Sequence, residues 1–349
     1  MSAAPATHPG AEATWMFREA AQAADVVGAQ LAANRGPLAT LAADLRRRPP
    51  AFVATCARGS SDHAATFGKA LIETRLGLVT ASVSPSVGSV YGVRQQLGDA
   101  LFIAISQSGR SPDLLLNAEA AREAGARVVA LVNVADSPLA ALADVVVPLH
   151  AGPERSVAAT KSYLASLSAL LQLVSAWDAE PALADALDAL PDALRAAWNC
   201  DWAPAREGLR QARNLFVLGR GPGLGAAQEL ALKFKETCGL HAEAYSAAEV
   251  RHGPMALVGA GFPVLMLAQP DDTGPGTRAL ADELRARGAS VWLTDAGGDA
   301  DLPLPAAPHP AFAPLLQVQA FYRMANALSL ARGFDPDMPP HLNKVTETI

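Results

Sequence analysis

The sequence predicts an α/β protein made of two tandem copies of one unit, each a parallel sheet flanked by helices, the product of an internal duplication. Three observations carry that expectation. Landmarks recur at a fixed offset: Arg58-Gly59 and Arg220-Gly221 each follow an apolar run and precede a helical pattern, 162 residues apart, and Gln107 and Gln269 close apolar runs at the same offset. The Glu123–Val128 segment is echoed by Arg285–Val291 within one residue of that register. The strand candidates are short continuous apolar runs, as expected of strands covered on both faces. Helical patterns alternate with them, which points to parallel sheets with right-handed crossovers.

In chain order, residues 1–13 are expected to be a loose tail. Trp15–Ala33 reads as an amphipathic helix, with Met16, Ala20, Ala23, Val27 and Leu31 near helical spacing; together residues 1–35 make an N-terminal tail and helix. The first copy, residues 36–195, holds strand candidates at Phe52–Thr55, Leu101–Ile105, Val128–Val132 and Val145–Pro148, with helices at His63–Thr74 and Leu114–Ala124. Ser162–Trp177 is free of charge, but its 16 residues include four serines. A membrane span needs about 20 apolar residues, so this stretch reads as a core helix. Asp178–Pro204 is rich in Ala, Asp and Pro and reads as a helical connection, with the boundary near 196–206. The second copy, residues 205–349, repeats the strands at Leu215–Leu218, Val264–Leu267 and Val291–Leu293, and Asp271–Gly276 reads as a turn-rich loop. No Pro-rich or Gly/Ser linker separates the halves, so they are expected to pack tightly.

The bulk numbers exclude several classes. A chain of 349 residues has room for two ordinary domains, and 50% hydrophobic with 18% charged residues rules out wholesale disorder. The net charge of −6 gives no reason to expect nucleic acid or an anionic membrane as partner. Cys56, Cys200 and Cys238 form no Cys-x-x-Cys pair, which speaks against a disulfide framework or structural zinc and fits a reducing cytoplasm. The N-terminus lacks the basic and apolar regions of a secretory signal.

Two serine-rich loops fall at the carboxyl ends of first-copy strands, where open α/β sheets bind ligands. Gly59-Ser60-Ser61 follows Phe52–Thr55. Ser106-Gln107-Ser108-Gly109-Arg110-Ser111 follows Leu101–Ile105 and precedes a helix that Pro112 can open. Helix-start N–H groups favour phosphate and serines add donors without bulk. Serines also cap helices routinely, but two such loops at equivalent strand ends favour an anion site. The second copy has Ala268-Gln269-Pro270-Asp271 in place of the longer loop. No Walker ending is present, and Gly219-Arg220-Gly221-Pro222-Gly223 lacks the acidic partner of a dinucleotide fingerprint. A phosphate monoester is the expected ligand.

The second copy carries the candidates for proton handling. Between Glu229 and His252, Lys233 and Glu236 share a helix face, while Lys235 points elsewhere. A carboxylate beside a lysine stays ionised and can serve as a base. His252, in Arg251-His252-Gly253-Pro254, has a loop-like setting suited to proton exchange near neutral pH. The stiff tail Asp335-Pro336-Asp337-Met338-Pro339-Pro340-His341-Leu342-Asn343-Lys344 could bring Lys344 to a sugar carbonyl as an imine-forming amine. The bland readings are a salt-bridged helix and a solvated terminal lysine.

Gly59-Ser60-Ser61-Asp62-His63, the Ser106–Gly109 loop, Ala158-Ala159-Thr160-Lys161, Leu218-Gly219-Arg220-Gly221, the Lys233–Pro254 segment and the Asp-x-Asp tail resemble, as an ordered set, the sugar isomerase (SIS) superfamily. In particular they are similar to the isomerase half of the glutamine–fructose-6-phosphate amidotransferases, over roughly residues 14 to 349. By that resemblance Ser61, Ser106, Gln107, Ser108 and Ser111 hold a sugar phosphate, with Ser60 and Ala158 in the same substrate-binding set. Glu236 would shuttle a proton between carbons 1 and 2. His252, contributed by the neighbouring subunit of a homodimer, would open the ring. Lys344 would form a Schiff base, assisted by Lys233. No metal or redox cofactor is implied.

Asp62 and Arg110 depart from the family pattern, which leaves the phosphate assignment intact but leaves the sugar-hydroxyl specificity open. Only residues 1–13 precede the match, with no cysteine near the start, so release of ammonia from glutamine is not expected. The resulting expectation is an isomerising deaminase that converts glucosamine 6-phosphate and water to fructose 6-phosphate and ammonia. A deglycase acting on fructose-amino-acid 6-phosphates and a non-catalytic phosphosugar sensor are the alternatives; only an enzyme needs Glu236, His252 and Lys344 together.

Overall fold

The computed structural model describes residues 10–178, 180–296 and 300–344. A 3-10 turn at Ala11–Ala13 leads into α1 (Trp15–Ala21) and α2 (Ala23–Arg47). Residues 11–13 are therefore not a loose tail: the Ala11 carbonyl accepts from Thr14 Oγ1 and Asn326 Nδ2. Residues 1–9 lie outside the described part. The helix expected over Trp15–Ala33 is two helices that meet at Gln22, and the second runs on to Arg47 through Pro37. Asn-Arg-Gly-Pro at 34–37 reads as a breaker, but Leu38, Leu41 and Leu45 carry the apolar stripe onward and are buried. Packing overrides the local signal there.

The first sheet follows as β1 (Phe52–Cys56), α3 (Ser60–Leu76), β2 (Thr80–Ser82), α4 (Pro85–Ser89), β3 (Ala100–Ser106), α5 (Pro112–Glu123), β4 (Arg127–Val132), α6 (Pro138–Leu142) and β5 (Val145–Pro148), then α7 (Lys161–Asp178). The connection is helical, as expected: α8 (Pro181–Ala186), α9 (Leu190–Trp198) and α10 (Ala203–Leu209). The second sheet contains β6 (Asn214–Gly219), α11 (Gly223–Cys238), β7 (His241–Ser246), β8 (Pro263–Leu267), α12 (Gly274–Ala286), β9 (Ser290–Asp295) and β10 (Leu302–Pro303), and α13 (Ala313–Ala331) follows. The strand orders are β2-β1-β3-β4-β5 and β10-β9-β8-β6-β7, with every pairing parallel. Replacing each first-copy strand by its repeat turns one order into the other read backwards, so the two sheets share one topology.

The long charge-free stretch is α7, almost entirely buried. One continuous apolar core links both halves, from Leu101 and Leu167 to Leu230, Leu265 and Phe321. Burying each such side chain is worth about 1.5–3 kcal/mol. The halves meet closely where α11 packs on α3. A Cβ on Gly225 would lie 2.5 Å from the His63 carbonyl oxygen and 2.8 Å from the Phe67 nitrogen. Only glycine fits there, and the resulting contact brings the charged face of α11 to the start of α3.

Candidate active site

Both serine loops flank the crevice between β1 and β3, where the strand order of the first sheet reverses. That is where an open parallel sheet binds ligands. Gly59, at φ +56, turns the chain from β1 into α3, so that Ser60 and Ser61 open the helix. Gly109, at φ +64, has room only for hydrogen: a Cβ would lie 2.1 Å from Ser137 Oγ. Its N–H donates to Ser106 Oγ at 3.0 Å, which shapes the loop after β3. Ser111 is the N-cap residue of α5, yet its side chain makes no capping hydrogen bond. The routine helix-capping role is thus not what this serine does.

A cavity of about 220 Å³ opens between these loops. Of the residues singled out in the sequence, Ser60, Ser61, Ser106, Gln107, Ser108, Ser111, Glu236 and Lys344 line it. Arg58, Val157, Ala159, Leu342 and Asn343 line it as well. Ala158 is fully buried and is flanked by two lining residues. Lys233 lies beneath the wall, with no exposed surface. His252 is exposed at the end of a 3-10 turn, Glu249–His252, and does not line the cavity of its own chain.

Beneath the wall is a buried charge network. Lys233 Nζ donates to Glu236 Oε2 at 2.7 Å and to Ser60 Oγ at 3.0 Å, and lies 3.1 Å from Glu229 Oε1. Ser60 and Tyr322 donate to that same Glu229 oxygen at 3.2 and 3.0 Å, while His63 Nδ1 lies 3.1 Å from Oε2. Burial pushes the Glu229 carboxyl up, but the Lys233 charge and His63 outweigh it and hold the group below its ordinary value. Burial likewise pushes the Lys233 ammonium down, and Glu229 and Glu236 together raise it above the usual lysine value. Lys233 is therefore a fixed cation that orients Glu236 at the cavity. Lys235 is exposed, as expected.

Three carboxylates hold the tail and the 154–156 loop it packs on. Asp337 accepts the N–H groups of Trp15 and Met16, each at 2.7 Å, and so caps α1. Glu19, on α1, accepts the N–H groups of Arg155 and Ser156. Lys344 Nζ donates to the Ser156 carbonyl at 2.7 Å and to Glu154 Oε2 at 3.2 Å. Burial pushes the Glu154 carboxyl up, yet Lys344, Ser162 and the Thr160 and Ser162 N–H groups hold it below its ordinary value. The terminal lysine is therefore not a freely solvated charge; its side chain is 26% exposed, at the cavity wall.

Glu229, Glu154, His63, Tyr322 and Arg58 were not in the expected site set. Glu229 had a signal, since it stands four residues before Lys233 on the face that carries Glu236. The others act through pairings across more than fifty residues of sequence or along a loop, which no local spacing announces.

The SIS domain family matches residues 53–176 and 208–302, one segment in each half. A glutamine–fructose-6-phosphate aminotransferase (isomerizing) from Pyrobaculum aerophilum is 39% identical over 282 residues, covering 74% of this chain and 46% of its own. The chain spans about half the length of the curated relatives it matches first. A solved structure from Silicibacter pomeroyi, provisionally named a phosphosugar isomerase, is 44% identical with a TM-score of 0.87 over 93% of this chain and all of that one. Glucosamine-6-phosphate deaminase from Thermotoga maritima shares the fold, with a TM-score of 0.77 at 22% identity over 96% of this chain and 100% of that one. Two matched segments, one crevice built by serine loops and this degree of identity have one reading: the chain belongs to the SIS domain family.

Proposed function

We propose that the protein is an aldose–ketose isomerase of sugar phosphates, and that its reaction is the isomerising deamination of glucosamine 6-phosphate. The observation that carries this reading is the meeting, in one cavity, of a phosphate cradle from the first half with the Lys233-oriented carboxylate of Glu236 from the second. The phosphate sits in the Ser60–Ser61 and Ser106–Ser111 loops. His252, delivered by a second copy of the chain, assists ring opening. Glu236 takes the proton from carbon 2 of the open aldose; the electron pair moves to form the carbon 1–carbon 2 enol-amine, and the aldehyde oxygen gains a proton. Return of the proton to carbon 1 leaves an imine at carbon 2. Water adds there and ammonia departs, directly or after exchange of the carbonyl carbon onto Lys344.

The test is the incubation of purified protein with glucosamine 6-phosphate, measuring ammonia and fructose 6-phosphate together. Equal amounts are expected, with Glu236→Gln lowering kcat by about 10²- to 10⁴-fold while inorganic phosphate still binds. Full activity in that variant would remove Glu236 as the base. Phosphate binding without ammonia release would move the reading to amino-acid conjugates of fructose 6-phosphate.

A further inference from the structure

The serines of the two loops supply hydrogen-bond donors to the cavity but no charge, whereas a phosphate monoester carries roughly −1.5 to −2 near neutral pH. One guanidinium stands beside them. Arg58, in the connection between β1 and α3, lines the cavity along with Ser61, Ser106, Ser108 and Ser111, and its side chain is 48% exposed. Its Nε and Nη2 approach a single oxygen, Asp113 Oδ2, at 2.8 and 2.7 Å. Asp113 opens α5, has no exposed side-chain surface, and accepts the Leu114 N–H on its other oxygen at 2.8 Å. The pair thus ties the loop after β1 to the helix after β3, across the crevice itself.

The geometry divides the guanidinium in two. One edge is spent on Asp113, and a buried carboxylate cannot release its partner without a large desolvation cost. Arginine has five donors in a rigid plane, so N–H groups remain beyond those spent on Asp113, on a half-exposed side chain that lines the cavity. A planar fork already fixed in place loses little entropy on meeting a phosphate oxygen.

We propose that Arg58 is a specificity residue for the phosphate group: its remaining N–H donors take a phosphate oxygen, and Asp113 is the positioning residue that aims it. This rests on reading the cavity as a sugar-phosphate site. Arg58 adds to that reading the element that discriminates a phosphorylated sugar from its neutral parent.

The test is calorimetric titration of the full chain with inorganic phosphate, alongside KM and kcat for glucosamine 6-phosphate. Arg58→Gln is expected to weaken phosphate binding about 10- to 100-fold and to raise KM more than it lowers kcat. Because that variant removes the Arg58 cation from the buried Asp113 carboxylate, Arg58→Gln/Asp113→Asn, which removes both charges of the pair, is measured beside it, and the same loss of phosphate affinity is expected. Asp113→Asn alone keeps the cation but loosens it, and an intermediate loss is expected. A folded double variant that binds phosphate like the unaltered chain would overturn the proposal while leaving the site reading intact. An unaltered chain that binds neither inorganic phosphate nor a sugar phosphate would overturn the site reading itself, and the role of Arg58 with it.

Discussion

Glu154 and Glu229 are carboxylates with no exposed side-chain surface, and the site depends on both remaining ionised. Glu229 achieves this with a buried lysine, a histidine and two hydroxyls, whereas Glu154 relies on Lys344, the Ser162 hydroxyl and backbone N–H groups. Because the folded-state value of Glu154 lies below the ordinary 4.5, its contribution to stability is complete above that pH. The contribution is lost as the pH falls through the lower, folded value. Glu154→Gln should therefore cost about 2–4 kcal/mol at neutral pH, measured by urea unfolding. The gap to the unaltered chain should narrow as the pH falls below 4.5 towards the lower folded value, beneath which the native carboxyl is neutral too. A gap independent of pH would show that Glu154 is not ionised in the folded chain. At this scale the serines, Glu236 and Lys344 were legible, since small donors at strand ends and charges on one helix face are local patterns. The Arg58–Asp113 and Glu229–Tyr322 pairs were not, because each joins residues that only the folded sheet or helix packing brings together.

Among the elements, α11 decides whether a site exists, because it carries Glu229, Lys233 and Glu236 on one face and Gly225 about one to three turns before them. The glycine sets the separation of α11 from α3, and with it the 3.0 Å contact of Lys233 with Ser60. Gly225→Ala places a methyl against α3 backbone, which cannot yield as a side chain tip would. A loss of about 1–3 kcal/mol in stability is expected, read by thermal unfolding. Activity should fall beyond that in the protein still folded, since the network beneath Glu236 is pulled apart. A folded variant with full kcat would separate helix spacing from catalysis.

The central strands of both copies and the helices α3, α5, α7 and α11 could be read from apolar runs and helical spacing, whereas α12 and α13 were not anticipated. The strands β2, β7 and β10 could not. Two of them have only three and two residues, and His241–Ser246 mixes polar with small apolar residues. Each lies at a sheet edge, where a strand is covered less and has no long apolar run to announce it.

Across the whole molecule, duplication has yielded a division of labour. In the first sheet Gln107 lines an open crevice. At the equivalent place in the second sheet Gln269 is buried, donating to Gln317 Oε1 at 2.9 Å, while Gln317 returns a bond to the Ala268 carbonyl at 2.7 Å. A Cβ on Gly223 would come within 2.4 Å of Gln269 Nε2, so the second crevice is filled by its own loop and helix. The second half contributes a wall and the Glu236 carboxylate to the cavity of the first half's serine loops. What it does not deliver within one chain is His252, which stands exposed and outside the cavity lining. In the proposed dimer each cavity takes Glu236 from one copy and His252 from the other. A Glu236→Gln chain paired with a His252→Asn chain then holds one intact site and one doubly altered site. Co-expressing the two variants, each weak or inactive alone, should restore about a quarter of the unaltered activity, since about half of randomly paired dimers are mixed and each has one working site of two. Absence of any recovery in isolated mixed dimers would place both residues in the reaction of a single chain, and the ring-opening role of His252 across an interface would fall.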